Sequence, residues 1–155
     1  MKQSAGLLVF RRLHEQVEVL LVHPAGPFFG HKDVWSIPKG ELDGDEKLLA
    51  AAYREFAEEV GVVAPLGEPI ALGSHQQTSG KLNFIWAVEG EVDVTQFASN
   101  TFTMEWPPKT GRQQEFPEND QVAWFIVGVA RQKLFTYQRV FIDRLLAQLD
   151  QRIAS

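Results

Sequence analysis

The segment between Asp43 and Gly61 narrows the fold of this chain more than any other. Leu49, Tyr53, Phe56 and Val60 recur at helical spacing and fall on one stripe. At about 100° per residue, Glu55, Glu58 and Glu59 gather on the opposite side, within an arc of roughly 100°. Asp43, three residues ahead of Glu46, resembles a capping box, and Gly61 stands where a left-handed cap would end the helix. The spacing therefore predicts an amphipathic helix that presents three carboxylates on one exposed face. Such a face repels itself, and no lysine follows to relieve it until Lys81. Two readings stay open at this point, a solvated acidic stripe and a cation site.

The surroundings of the helix read as an α/β domain. Ala5 to Phe10 and Val17 to Val22 are apolar, partly β-branched runs joined by the polar stretch Arg11 to Gln16, the pattern of a hairpin. The stretch from His23 to Asp33, with two prolines and two glycines, predicts a loop, and Trp35 to Pro38 a short strand. Ile70 to Leu72, Leu82 to Val88 and Gln121 to Val127 are further strand candidates. Val129 to Leu134 reads as a short helix, and Ile142, Leu145, Leu146, Leu149 and Ile153 mark a terminal amphipathic one. Val92 to Asp120 reads as a long structured loop, the kind that more often carries function than not.

Composition limits the chemistry. With 155 residues, 45% of them hydrophobic, the chain can bury one substantial core, so a single domain over residues 1–155 is expected. Cysteine is absent, which leaves oxygen and imidazole as the only metal ligands and removes thiol nucleophiles. A net charge of −5 argues against a general nucleic-acid binder, although a bound cation can reverse the local charge of an acidic site and let it hold a polyanion. The early apolar run ends at Arg11 and Arg12, too short for a signal core or a membrane span. The expectation is a cytoplasmic protein without a membrane or nucleic-acid partner, as monomer or homodimer.

The wider spacing around the triad is specific. From Gly40 to Val62 the chain resembles the Nudix box, G-x(5)-E-x(7)-R-E-U-x-E-E-x-G-U with U bulky and apolar, without a mismatch. Its fixed residues are Gly40, Glu46, Arg54, Glu55, Glu58, Glu59 and Gly61, and its apolar positions Phe56 and Val62. At average residue usage such a match arises by chance on the order of once in a hundred million start sites or less. The resemblance to Nudix hydrolases, MutT-like pyrophosphatases, implies an α/β/α sandwich around a mixed sheet. It also implies that Glu55, Glu58 and Glu59, with the Gly40 carbonyl, bind Mg²⁺ or Mn²⁺. Hard oxygen ligands suit such ions, which keep waters and bridge to substrate phosphates. On the same resemblance Glu58, Glu59 and Arg54 are the catalytic candidates, Arg54 by fixing a carboxylate through its planar fork. Glu118 and Glu115 are candidates for an additional ligand or base.

The box leaves the substrate open. Trp35-Ser-Ile-Pro-Lys-Gly-Glu41 is similar to the Nudix subgroup acting on diadenosine polyphosphates and diphosphoinositol polyphosphates, which implies substrate contacts for Trp35 and Lys39. Lys109 and Arg112 in the late segment, with Trp106, and Lys32 with Phe28 and Phe29 in the first loop, combine cations with aromatic faces suited to a nucleotide. The resulting expectation is a hydrolase of a nucleoside diphosphate-linked or polyphosphate small molecule, foremost a dinucleoside polyphosphate. ADP-ribose and nucleoside triphosphates are alternatives, as is a Nudix module that senses a nucleotide without cutting it. His23 and His75 show no metal-ligand spacing.

Overall fold

The computed structural model describes residues 2–154, with the side chains of Ile153 and Ala154 outside the described set; the contribution expected of Ile153 therefore lies beyond it. β1 (Gln3–Leu13) is buried on both sides from Ser4 to Phe10, because it lies inside a mixed sheet. It pairs antiparallel with β2 (Gln16–Pro24) and parallel with β5 (Leu82–Glu89). β4 (Ile70–Gln76) flanks β5, and β8 (Asn119–Ile126) flanks β2, giving the order β4-β5-β1-β2-β8, with β3 (Lys39–Glu41) attached to the start of β1.

Alternation along β1 divides the core. Ala5, Leu7 and Val9 face α1 (Leu48–Val60) through Ala51, Ala52, Phe56 and Val60. Leu8 and Phe10 face the other way, toward α2 (Val127–Lys133) and α3 (Arg139–Ala154), where Ala130, Phe141, Ile142, Leu145 and Leu149 are buried. The result is the sandwich of helices around a mixed sheet that the box implies.

Several boundaries differ from the sequence reading. The first hairpin extends three residues further than its apolar runs and closes at His14 and Glu15, both at positive φ (52° and 64°), the signature of a tight two-residue turn. Trp35 and Ser36 make only isolated bridges, and the short strand begins at Lys39. Asp43 and Glu46 do bond reciprocally, Glu46 N to the Asp43 carbonyl at 3.0 Å and Asp43 N to Glu46 Oε1 at 3.1 Å. They form a turn ahead of the helix, which starts at Leu48 with no side-chain cap. The Glu46 carboxylate accepts from Arg54 as well as from Asp43 N. The supposed loop from Val92 holds a 3-10 turn at Val94–Gln96 and a separate hairpin, β6 (Thr101–Glu105) with β7 (Gln113–Pro117), before β8 begins.

Candidate active site

Arg54 organises the site. Its Nε and Nη2 grip Glu46 in a fork (2.8 and 2.9 Å), Nη2 also donates to the Glu41 carbonyl (3.0 Å), and Nη1 donates to Glu55 (2.9 Å) and Glu58 (3.1 Å). One guanidinium thus ties the turn before the helix to two carboxylates on it, a geometry only a planar fork supplies. The pairing holds Glu46 below the ordinary carboxylate range.

The three helix glutamates do not share an exposed face. Glu58 is exposed, Glu59 is half-buried, and Glu55 is buried because α1 turns its carboxylate onto the backbone of Gly40. A Cβ on Gly40 would overlap that carboxylate, so a larger residue there would push the Glu55 carboxylate out of its place. The buried stripe is accordingly Ala51, Ala52, Glu55, Phe56 and Val60, with Leu49 and Tyr53 at its edges.

Glu55, Glu58, Glu59 and Glu118 line one cavity of about 360 Å³, together with Lys39, Lys81, Gly40, Glu41, Ser4 and Asn100. Burial raises Glu55 against the pull of Arg54, and burial also raises Glu118. Glu59 is pushed up to about 8, first by burial and then by Glu55 and Glu118, against the Asn119 hydrogen bond and Lys39. Asn119 Nδ2 donates to Glu59 Oε1 at 3.0 Å. The base of the β6–β7 hairpin is tied to the same helix, with Asn100 N donating to the Glu58 carbonyl (2.9 Å) and Glu118 N to the Asn100 carbonyl (2.8 Å).

The donor chemistry fits a hard divalent cation, with carboxylates crowded around a glycine cradle and left short of counter-charge. Among the described residues no three acidic or imidazole groups yet stand in ligating geometry, as Glu55 and Glu58 both turn to Arg54 Nη1. Rotation of those side chains is the adjustment a cation would require.

The structure brings Lys39, Gly40, Arg54, Glu55, Glu58, Glu59 and Glu118 together and separates others. Trp35, expected as a substrate contact, is a core residue, 6% exposed, packed edge-on to His23 and Phe125 with its indole N–H on Asp33, and it lies outside the carboxylate cavity's wall. Glu115 stands exposed on β7 opposite Thr103, outside the cavity wall. Lys109, at φ 63° in the hairpin tip, and Arg112 beside it are also exposed and outside that wall. Their hairpin instead sets Trp106 edge-on to Phe28 at 5.6 Å. His23 is structural, joining Asp120 (2.6 Å) and the Lys32 carbonyl (2.5 Å). Sequence reasoning missed Ser4, Glu41, Lys81, Asn100 and Asn119; Ser4 and Glu41 meet through the β1–β3 pairing, Asn119 opens β8, Lys81 comes from the β4–β5 turn and Asn100 from the loop bonded to the Glu58 carbonyl.

Comparison with known proteins agrees with this geometry. A NUDIX domain model matches residues 1–145. Nudix hydrolase 7 of Arabidopsis thaliana is 27% identical over 136 residues, which is 84% of this chain and 48% of that protein, so the chain spans about half the length of this curated relative. Among solved structures, a C. elegans Ap4A hydrolase binary complex superposes with TM-score 0.67 and 18% identity, over 96% of this chain and 98% of that one. The NUDIX domain of Shewanella oneidensis NrtR complexed with ADP ribose gives 0.63 and 19%, over 95% and 87%. The complete box, the sandwich that carries it and the domain match together establish that this chain belongs to the NUDIX family.

Proposed function

We propose that the chain hydrolyses a pyrophosphate bond in a nucleoside diphosphate-linked substrate, with a dinucleoside polyphosphate preferred. The observation that carries this reading is a single cavity whose wall combines five carboxylates, Glu41, Glu55, Glu58, Glu59 and Glu118, with two lysines, Lys39 and Lys81, the latter paired with Glu41. Glu55, Glu58 and Glu59, with the Gly40 carbonyl, would hold Mg²⁺ or Mn²⁺. When bound, the cation supplies concentrated positive charge that offsets charge developing on the phosphate oxygens. Lys39 and Lys81 bind phosphate oxygens as point charges. Arg54 keeps Glu46 fixed and the helix carboxylates in reach of one another. Water adds to phosphorus, the bridging P–O bond breaks, and a carboxylate takes the water's proton; Glu59 and Glu118 both face the cavity for that role.

Preference for a long phosphate chain now rests on Lys39 and Lys81, since Lys109 and Arg112 lie elsewhere. Lys39→Ala should lower kcat/KM for a dinucleoside tetraphosphate at least tenfold and for ADP-ribose less, because a longer chain uses more cationic contacts as charge develops. The test is a kinetic panel of dinucleoside tetraphosphate, ADP-ribose and nucleoside triphosphates with Mg²⁺, products separated by chromatography. A preference for ADP-ribose, with Lys39→Ala affecting all substrates equally, would reject the long-chain reading. Tight binding with no hydrolysis of any substrate would make the chain a sensing module.

A further inference from the structure

Two buried oxygens beside the site have no hydrogen-bond partner among the described residues, Ser4 Oγ and Asn83 Oδ1. Both residues are fully buried, and they are direct neighbours in the parallel register of β1 and β5. They continue the rows of Leu8 and Ile85 on the sheet face that α3 covers further along. Native proteins seldom leave such groups unpaired, since each one costs about 1–3 kcal/mol.

The orientation of Asn83 is fixed. Its Nδ2 points to Gln77 Oε1 at 3.0 Å, with the His75 and Lys81 carbonyls at 3.4 and 3.5 Å. Flipping the amide would set its oxygen against the two backbone carbonyls, which cannot turn away, so Oδ1 stays an acceptor on the side of Ser4. Ser4 lines the carboxylate cavity, and Glu41 and Lys81 form a shared wall between that cavity and a second one of about 490 Å³ reaching Lys2 and Gln76. Glu41 also lies opposite Ser4 in the β1–β3 register and is paired with Lys81 at 3.1 Å.

We infer that Ser4 and Asn83 form the recognition point for the nucleoside part of the substrate, engaging a group that donates a hydrogen bond. A fixed acceptor beside a rotatable hydroxyl disfavours a phosphate oxygen, which has no proton to give, and suits a ribose hydroxyl or a base amino group. Phosphates then fall to Lys39 and Lys81 between this point and the glutamates, and the second cavity receives the remainder of the nucleoside. The inference rests on the hydrolase reading only in taking the ligand to be a nucleoside phosphate.

The test is calorimetric binding, with Mg²⁺ present, of the four ribonucleoside 5′-monophosphates, their 2′-deoxy forms and inorganic phosphate to the wild-type chain and to Ser4→Ala. At least one monophosphate should bind wild type tighter than inorganic phosphate does, and Ser4→Ala should weaken it by about three- to tenfold, the worth of one neutral hydrogen bond. Inorganic phosphate should bind both proteins alike. Ser4→Ala removes an orphan hydroxyl, so its melting temperature should hold or rise, which separates lost recognition from lost structure. A loss confined to ribose forms assigns the sugar hydroxyl, and one that follows base identity assigns the amino group. The inference is overturned if no monophosphate outcompetes inorganic phosphate in wild type, or if Ser4→Ala leaves the difference intact; an ordered water would then satisfy the pair. Failure of the hydrolysis panel would leave this binding measurement untouched.

Discussion

Glu59 is held by one neutral donor, Asn119, and faced by two carboxylates, Glu55 and Glu118. Because its folded value is raised to about 8 from 4.5, folding favours its protonated form. In EDTA the stability it allows is therefore fully present below about 4.5 and lost as pH rises through about 8. Thermal melts between pH 5 and 8.5 should show the midpoint falling by several degrees. Glu59→Gln, which still accepts from Asn119, should flatten the curve; a wild-type curve already flat would place this carboxylate in water. With Mg²⁺, Glu58→Gln and Glu59→Gln should each lower kcat by about two or more orders of magnitude with the fold intact, by circular dichroism, since charge stabilisation matters most in the transition state. Arg54→Lys keeps the charge and loses the fork, so a ten- to hundredfold fall in kcat/KM is expected from the same assay. The box identifies these residues from spacing alone. Spacing could not show that Glu55 faces inward, because that depends on Gly40 arriving from β3.

At the scale of elements, the end of α1 is the most constrained joint. Gly61 has φ 82°, and a Cβ there would overlap the backbone of Ala98, whose N–H bonds the Val60 carbonyl. Gly61→Ala should cost more than about 1–2 kcal/mol from the left-handed backbone alone and lower the melting midpoint by roughly 3 °C or more, by calorimetry. Lys109→Ala and Arg112→Ala, at the tip of the β6–β7 hairpin, should change kcat/KM less than twofold; a larger effect would bring the tip into the substrate's path. Strands with clean apolar runs, such as β1, β2 and β5, were legible from sequence. The β6–β7 hairpin was not, because Gln113 to Pro117 lie mostly exposed and lack the alternation that a half-buried strand displays, while the alternation of Thr101 to Glu105 spans only five residues inside a polar, proline-rich stretch. The burial of Trp35 was hidden for the opposite reason, since an aromatic four residues before a lysine reads the same whether it faces a ligand or the core.

Across the whole molecule, the carboxylate cavity draws on β1, β3, α1, the β4–β5 turn and the start of β8, so cation binding should be linked to folding. Millimolar Mg²⁺ should raise the melting midpoint of the wild-type chain, as any ligand selective for the folded state does, and the rise should vanish in a Glu58→Gln, Glu59→Gln double variant. An equal rise in both would locate the cation elsewhere. The layered arrangement was legible because successive residues of β1 supply two separate cores, whereas Lys81 enters from the β4–β5 turn and Asn119 from the first residue of β8, placements that no local pattern encodes. The hairpin between Asn100 and Glu118 has its two ends bonded to each other and to the last turn of α1. Closed off in that way, its seventeen intervening positions form a detachable module: a lineage could lengthen, shorten or rewrite them while the glutamates beneath stayed aligned.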